Sequence, residues 1–367
     1  MLTILDRYLL RSLLVNYLIG LGVMLSLYVV LDLFVNMDEF TEQHYSALTV
    51  LGNMVDYYVP NLFLYFSQLS GVITLFACGA VLVRMRKLNE LTAILASGVS
   101  LYRVARPVMI FGVVVTGLLV LDTEWLIPSV AHKLSRDHDD ADGKRAYEVL
   151  FLKDRGGALL SAGRFLPTTR DLQRMLVLVR DDRGAIVQTW EADQAAWEPP
   201  TAERPQGRWK LERGKLTARA SSPGGFGPRD EQRVSYPAYY ESDLGPEAIQ
   251  LRQAQGWMKY LSLQKLKELE KDKTADLLAV KQTRHARIAG PIVSLLLLLL
   301  GVPFFLDRSP ASVLGDAGQC VLVCGLCYVV AFIAQNIHTA DASALPTFIP
   351  IFVFGPLAIV LLDRVRT

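Results

Sequence analysis

The sequence predicts an α+β integral membrane protein in which six transmembrane helices, in two groups of three, flank an inserted antiparallel β domain. Of the 38 Lys and Arg residues in this 367-residue chain, 25 lie between Lys133 and Lys273, so the two flanks are poor in charge. The flanks contain uninterrupted apolar runs long enough to cross a bilayer, whereas the charged section shows short alternating stretches broken by turn residues. The flanks are therefore predicted to lie in a lipid bilayer and the charged section in water, and a purely soluble protein is excluded.

Six apolar runs are predicted to span the membrane. They cover residues 12–31, 57–83, 107–121, 288–306, 317–337 and 342–362. The first run is too long for a signal peptide and lacks a small-residue cleavage site. The third is short, and it spans only if Arg106 snorkels at one end while Asp122 and Glu124 reach the headgroups at the other, with Trp125 as an interface anchor.

Basic residues beside these spans predict the orientation of the chain. Ten of them fall on one side, namely Arg7, Arg11, Arg84, Arg86, Lys87, Arg103, Arg106, Arg308, Arg364 and Arg366. The opposite short loops, 36–56 and 338–341, contain no Lys or Arg. The positive-inside rule therefore predicts cytoplasmic termini and an exported β domain. Lys281, Arg284 and Arg287 lie on the outer side, where a preceding long exported domain weakens the rule.

The insert, residues 129–280, is predicted to form β hairpins followed by an amphipathic helix. The first hairpin has strands at 147–152 and 158–165 and a turn at 154–157, and the second has strands at 176–179 and 185–190 and a turn at 181–184. Further strands are predicted at Trp197 and 208–211, and a flexible loop at 221–228. Leu261, Leu263, Leu266 and Leu269 then recur at helical spacing, with Ser262 as a cap. The sheet is either a folded spacer or a site that holds an amphiphile or docks a partner sheet by its edge.

The loop after the second span is predicted to contain a short amphipathic helix over residues 86–97. Its apolar residues share helical spacing, Asn89 or the charges before it start the helix, and Gly98 ends it in the left-handed conformation. One interpretation is an interfacial helix held by anionic lipid. The other is a coupling helix that inserts into a groove on a cytosolic motor, with Glu90 pairing with a basic residue there.

Polar and thiol groups within the spans give weaker signals. Asp32 lies late in the first span, where it is either solvated at the headgroups or directed into a polar cavity. Cys320, Cys324 and Cys327 share a helical face without His or carboxylate neighbours, which favours packing over metal binding. With no Walker A, HExxH or GxSxG motif, no catalytic residue, cofactor or metal is predicted. The net charge of +2 argues against nucleic-acid binding.

Several short motifs together resemble those of the LptF/LptG permease family, the membrane subunits of the ABC transporter that extracts lipopolysaccharide from the inner membrane of Gram-negative bacteria. They are Leu5-Asp-Arg-Tyr8-Leu, Asn89-Glu90-Leu91 with Ala96-Ser97-Gly98, His285-Ala-Arg287 with Pro291, Gly301-Val-Pro303, and Leu345-Pro346 with Pro350. Three spans, an exported β domain and three further spans are also the order in that family.

The resemblance implies a non-catalytic inner-membrane permease subunit with a jellyroll-like periplasmic domain. Its implied parts are residues 1–128, 129–280 and 281–367. Its implied partners are a cytosolic ABC ATPase dimer, a second LptF/LptG-type subunit, a periplasmic jellyroll bridge protein and lipopolysaccharide or a related lipid. The implied ATPase-coupling residues are Arg86, Lys87, Glu90, Leu91, Ile94, Leu95, Ser97 and Gly98. The first and fifth spans would form lateral gates.

The chain also departs from the family pattern. Thr283 and Arg284 stand where the family often has an acidic residue, and the outer loop between the first two spans carries only acidic charge. Lys281, Arg284 and Arg287 are therefore the predicted contacts for an anionic lipid headgroup. The alternative hypothesis is a mechanotransmission or scaffold protein, in which an ATPase moves the exported domain while no lipid crosses the membrane part.

Overall fold

The predicted spans form long helices in the computed structural model. It describes residues 3–37, 47–134, 146–181, 184–201, 204, 207–219, 232–253, 256–271, 277–306, 313–336 and 344–366. The main helices are α1 (Ile4–Val35), α2 (Ala47–Lys87), α3 (Glu90–Ala96), α4 (Leu101–Leu121), α5 (Pro246–Gln253), α6 (Leu263–Lys271), α7 (Leu277–Phe305), α8 (Val313–Asn336) and α9 (Leu345–Arg366). By length and composition, α1, α2, α4, α7, α8 and α9 are able to cross a membrane. The predicted loop 221–228 and the loop 338–341 lie outside the described residues.

The helix α7 is the centre of the membrane bundle, where it contacts α2, α4, α8 and α9. Its Leu-rich face is fully buried, as at Leu298 and Leu300. Close approach depends on small residues, because a Cβ at Gly112 of α4 would lie 2.2 Å from the Leu298 side chain. In a membrane, where lipid is as apolar as Leu, such close packing is what holds helices together.

The third span extends beyond the predicted residues 107–121. After α4 the helix continues through a π-helical segment, Asp122–Leu126, and a short turn, Ile127–Ser129. Asp122 therefore belongs to the continuous helix and is only 2% exposed, so its side chain is buried in the protein and not solvated. The π-helical geometry rotates the side chains that follow Asp122 relative to their positions in an α-helix. Trp125 is exposed, as expected of an interface anchor.

The insert forms one eight-stranded antiparallel sheet between the third and fourth spanning helices. Its strands are β1 (Tyr147–Lys153), β2 (Leu159–Leu166), β3 (Asp171–Arg180), β4 (Ile186–Glu198), β5 (Arg208–Glu212), β6 (Lys215–Arg219), β7 (Gln232–Ser235) and β8 (Tyr239–Glu241). The order is β1-β2-β3-β4-β5-β8, with β6 paired to β4 and β7. The predicted hairpins are confirmed, although β3 and β4 are longer than predicted.

One face of this sheet packs into a separate apolar core. Phe165, Leu172 and Trp209 are fully buried there, and the Trp209 indole donates a hydrogen bond of 3.1 Å to the Leu244 carbonyl. The turn before β2 is fastened by Asp154, whose carboxylate accepts hydrogen bonds from Tyr240 (3.1 Å) and Ser242 (2.6 Å). A buried carboxylate with these donors fixes the first hairpin to the last strand.

The chain returns from the sheet to the bundle through α5, a 3₁₀ turn (Trp257–Tyr260) and α6. The predicted amphipathic helix is confirmed as α6, and the Ser262 hydroxyl accepts a hydrogen bond of 3.3 Å from the Lys265 amide. Leu266 is buried against Val280 at the start of α7. This segment therefore lies across the end of the bundle that carries the sheet, here called the sheet end; the opposite end, with α3, is the α3 end.

Candidate functional site

The helix α3 is shorter than the predicted 86–97. Arg86 and Lys87 belong to the last turn of α2, because Asn89 adopts a left-handed conformation (φ 57°) that interrupts the helix. The predicted end of α3 is confirmed, since Gly98 adopts the left-handed conformation with φ 82°. Its amide donates to the Leu95 carbonyl at 3.0 Å and the Val99 amide to the Ile94 carbonyl at 3.4 Å, which is the hydrogen-bond pattern of a Schellman motif.

The apolar residues of α3 face the bundle. Leu91 is 3% exposed, and Ile94 and Leu95 pack against the same core. Small and polar side chains, including Ala96 and Ser97, are left on the exposed face. The predicted amphipathic pattern thus anchors α3 to the spanning helices and leaves a surface of small residues exposed.

Two polar contacts connect this region to distant helices. Glu90, at the start of α3, accepts a hydrogen bond of 2.8 Å from the Tyr8 hydroxyl of α1. Arg86 forms an ion pair of 2.6 Å with Asp316 in the first turn of α8. Both side chains of that pair are largely buried, at 10% and 13% exposed. The α3 end is therefore joined both to α1 and to α8.

A cavity of about 790 Å³ opens at the sheet end among α2, α7 and α8. The 3₁₀ turn after α5 contributes Gly256, Trp257, Met258 and Lys259 to its lining. Its other polar and charged lining residues are Ser67, Gln68, Thr123, Gln282, Thr283, Arg287, Ser294, Tyr328, Gln335 and Asn336. This end of the bundle thus offers cations and amides to a ligand.

A second cavity, of about 510 Å³, lies between α2 and α8, further toward the α3 end than the first. Its lining is almost wholly apolar and includes Phe76, Phe305 and Val321. Val72, Leu297 and Tyr328 line both cavities, so the two are adjacent. Together they form a space that is polar at the sheet end, its mouth, and apolar between α2 and α8, which matches the two parts of an amphiphile.

Arg287 lies at the meeting point of three segments beside the mouth. Its guanidinium donates to the backbone oxygens of Thr123 and Lys259 and forms an ion pair of 3.6 Å with Glu124. The Glu124 carboxylate in turn accepts a hydrogen bond of 2.9 Å from the Leu263 amide. The end of the third span, α7 and the segment leading to α6 are thereby fastened together.

Asp122 lies beside this cluster and interacts electrostatically with Arg287. Both of its carboxylate oxygens are buried and have no hydrogen-bond partner among the residues that the structure describes. A buried carboxylate without donors depends on the nearby cation for its stability. Arg287 therefore balances acidic charge on the third span.

The family model for the lipopolysaccharide export system permease LptF/LptG matches residues 7–364, nearly the whole chain. The chain belongs to this family. A comparison with curated proteins gave no match. The LptF/LptG assignment agrees with the six spanning helices and with the antiparallel sheet inserted between the third and fourth of them. The chain is thus a multi-pass membrane protein and a permease subunit of the lipopolysaccharide export type.

The three predicted headgroup contacts of this LptF/LptG protein, Lys281, Arg284 and Arg287, differ in whether an acidic residue of the chain opposes them. Arg284 is paired with Glu270 of α6, and Arg287 with Glu124, so both cations are engaged within the chain. Arg287 also lines the polar cavity. Lys281 is partly exposed and has no ion-pair partner within the described ranges.

Lys259 was missed by the sequence-based prediction. Its side chain is exposed, and it lines the mouth of the polar cavity without an ion-pair partner in the described part of the chain. The sequence offered one usable signal, because Lys259 is flanked by Trp257 and Tyr260 and such aromatic residues are enriched at membrane interfaces. A short 3₁₀ turn has no periodicity from which to predict its orientation.

Asp32 is half-buried and accepts hydrogen bonds from the Tyr58 hydroxyl (2.9 Å) and the Asn36 amide (3.3 Å). Within the described residues it does not line either cavity. Its contacts instead join α1 to α2 near their sheet ends.

The cysteines of α8 pack against α7. The Cys320 and Cys324 sulfurs lie 4.0 Å apart, and Cys324 contacts the Leu297 carbonyl at 3.6 Å. All four cysteines are free and buried. Among the described residues there is no group of three or more metal-ligating side chains.

Proposed function

We propose that this LptF/LptG protein is a membrane subunit of an ABC transporter that takes lipopolysaccharide or a related lipid from the inner membrane and passes it to a periplasmic jellyroll bridge protein. The observation that carries the proposal is the adjacent pair of cavities, polar at the sheet end and apolar between α2 and α8. A phosphorylated headgroup would occupy the first and acyl chains the second, since apolar surface is the favourable environment for acyl chains.

The proposed orientation places the termini and α3 in the cytoplasm and the sheet in the periplasm. Basic residues gather near α3, with Arg84, Arg86 and Lys87 in the last turn of α2 and Arg103 at the start of α4. Lys and Arg are retained on the cytoplasmic side of bacterial membranes, which supports this direction.

The headgroup contacts are proposed to be Lys259 and Lys281, with Arg287 lining the mouth and Arg284 one turn earlier on α7. Lys259 and Lys281 have no acidic partner in the described residues, so their charges are available to phosphate oxygens. The Arg284 and Arg287 guanidinium groups are already opposed by Glu270 and Glu124. An anion meets less net positive charge at such paired groups.

The proposed partner at α3 is a cytosolic ABC ATPase dimer. The chain contains no Walker A motif, which fits a subunit whose ATP is hydrolysed by another protein. The exposed small residues of α3 allow the backbone of a partner to approach closely, and Glu90 supplies an acidic group for a basic residue. Arg86, Lys87, Leu91, Ile94, Leu95, Ser97 and Gly98 would form or support this surface.

A second LptF/LptG-type subunit is proposed to complete the lipid pathway. Helix α1 leaves large apolar side chains exposed, such as Leu18, Val23 and Leu27. Helix α8 does the same at Leu322 and neighbouring positions. These faces suit contact with lipid or with another spanning helix, as expected if α1 and α8 form the lateral gates. The sheet, with β1 at one edge, would accept the lipid and dock the bridge protein.

Photocrosslinking tests the proposal directly. A photoreactive amino acid at Phe76 or Val321, which line the apolar cavity, is expected to form lipopolysaccharide adducts in the assembled complex, and ATP is expected to reduce their yield. Val113, exposed on α4, is the matched position outside the cavities. Equal adduct formation at all three positions would contradict a cavity-bound substrate.

The alternative of a scaffold that moves its exported domain without lipid passage predicts a different result. No ATP-sensitive adduct would then form at Phe76 or Val321. Mass spectrometry of the purified complex would also identify its protein partners and bound lipid. Recovery of the chain with an ATPase but without any lipid would favour the scaffold.

A further inference from the structure

The ion pair between Arg86 and Asp316 joins two spanning helices at the α3 end of the bundle. Arg86 lies in the last turn of α2 and Asp316 in the first turn of α8, with 2.6 Å between Nη1 and Oδ2. Each charge also suits its own helix, because cations stabilise helix C-termini and anions stabilise N-termini. The pair is thus favoured both by mutual attraction and by the two helix dipoles.

The position of this pair matters because α2 and α8 are separated along the adjoining stretch by the apolar cavity. Phe76, Gly79 and Val83 of α2 line one side of that cavity, and Ala317, Val321 and Gly325 of α8 line the other. Asp316 immediately precedes the first lining residue of α8, and Arg86 lies one turn beyond Val83. The ion pair therefore lies just beyond the α3 end of the cavity.

Arg86 is also connected to α3 through the backbone. The Asn89 amide donates a hydrogen bond of 3.0 Å to the Arg86 carbonyl, and Asn89 immediately precedes α3. A displacement of α3 is therefore transmitted to the turn that carries the Arg86 side chain. Since Leu91 anchors α3 in the same core, the helix and this turn move together.

We infer that Arg86 and Asp316 form a strut that passes movement of α3 to α8 and so sets the width of the apolar cavity between α2 and α8. The inference rests on the proposed function, in which α3 receives the motion of an ATPase and the cavity holds acyl chains. Arg86 is then a positioning residue that acts through α8, and Asp316 is its partner. Lipid would be released when the strut carries the first turn of α8 along with α3 and the cavity beside it narrows.

The strut can be tested by breaking and then reversing the ion pair in the assembled transporter. Arg86→Gln and Asp316→Asn each remove one member of the ion pair, whereas the double variant Arg86→Asp/Asp316→Arg restores an opposite pair. The number of lipids released per ATP hydrolysed is expected to fall about tenfold in each single variant and to recover largely in the reversed pair. In Asp316→Asn, ATP hydrolysis itself is expected to stay within about twofold, because Asp316 lies on α8, outside the surface proposed to bind the ATPase.

A distance measurement separates this inference from the proposed function. Phe76→Cys and Val321→Cys are spin-labelled in a background without the four native cysteines. The distance between the two labels, measured by double electron–electron resonance, reports the width of the cavity. ATP is expected to shift this distance in the parent and in the reversed pair but not in either single variant. If a complex that releases no lipid showed these same ATP-dependent distances, the strut would be supported and the proposed lipid transport refuted.

Arg84→Gln is the matched control, because Arg84 is an exposed cation in the same turn of α2 and should leave both readouts unchanged. Single variants that assemble normally and keep the parental release per ATP would overturn the strut. A reversed pair that performs no better than the single variants would overturn it as well.

Discussion

The Tyr8 hydroxyl of α1 donates a hydrogen bond of 2.8 Å to the Glu90 carboxylate at the start of α3, across 82 positions of the chain. Two of the segments that resemble the LptF/LptG family therefore meet at one point. Tyr8 is 43% exposed, so this contact lies at the surface of the α3 end. An acidic side chain held in this way is oriented before any partner arrives, which reduces the entropy lost on binding.

Tyr8→Phe is expected to weaken the coupling between ATP hydrolysis and lipid release by several-fold while leaving the complex assembled. Only the hydroxyl is removed, so Glu90 loses its intramolecular donor without a cavity being created, at a cost of about 1 kcal/mol. Glu90→Ala and Glu90→Arg remove or reverse the acidic group itself and are expected to act more strongly. The measurement is lipid release and ATPase activity of the reconstituted complex.

Tyr102→Phe provides the control for this effect, since Tyr102 is exposed at the start of α4. If Glu90→Arg released lipid at the normal rate in an intact complex, the proposed coupling role of α3 would be wrong.

Arg287→Gln is expected to destabilise the protein by about 3–5 kcal/mol, the cost of leaving buried acidic charge without its cation. The Arg287 side chain is 9% exposed and opposes both Glu124 and Asp122. The free energy of unfolding, measured by denaturant titration in detergent, reports the change. Adding Asp122→Asn to Arg287→Gln removes one orphaned carboxylate and is expected to restore part of the loss.

Lys281→Gln serves as the comparison, because Lys281 lies on the same helix without an ion-pair partner in the described residues and should leave stability unchanged. An Arg287→Gln protein as stable as the parent would show that the cluster contributes no net stability.

Lys259→Gln is expected to weaken the binding of lipopolysaccharide about three- to tenfold, and the weakening should shrink as salt is raised, because an exposed cation is screened by ions. Binding is measured with purified lipopolysaccharide and the complex in nanodiscs at two ionic strengths. Lys210→Gln, an exposed cation on β5, is the matched control. A loss of affinity equal in the two variants would assign the effect to net charge rather than to the cavity mouth.

The stability of the sheet is expected to fall above pH 10 through Tyr240. Burial, and after it the negative charge of Asp154, raises the pKa of Tyr240 above its ordinary value of 10.0. Because the folded pKa is the higher one, the stability that Tyr240 contributes is fully present below pH 10 and is lost progressively at higher pH. Trp fluorescence during urea unfolding at pH 8 and at pH 10.5 gives the two free energies.

Tyr240→Phe should be less stable at pH 8, where it lacks the hydrogen bond to Asp154, yet lose less stability on going to pH 10.5. Tyr236→Phe, at an exposed position, should follow the parent at both pH values. Identical pH dependence in all three proteins would exclude Tyr240 as the titrating group.

The spanning helices, the β hairpins and the helix caps were predictable, because each is encoded by residues that are close together in the chain. The apolar runs of α1, α2 and α7 each exceed the length that a bilayer requires, and the alternation and turn residues of β1 to β4 are complete within each hairpin. Gly98 and Ser262 were likewise predicted from their positions next to α3 and α6. Such patterns depend on neighbours within a few residues.

The ends of α3 and the third span were less predictable. Asn89 takes a left-handed conformation that separates Arg86 and Lys87 from α3, and the π-helical segment begins at the buried Asp122. Both depend on how the neighbouring helices pack, because single-residue changes in backbone conformation cost little and packing selects among them.

The sequence by itself determined the six spanning helices, the inserted antiparallel sheet and the family of this protein. Only the tertiary structure decided which charges pair, as Arg86 with Asp316 and Arg287 with Glu124, and that Lys259 lies at the mouth of a cavity. The physical reason is that hydrophobic periodicity is a property of one segment, whereas an ion pair depends on the rotation and register of two segments far apart in the chain.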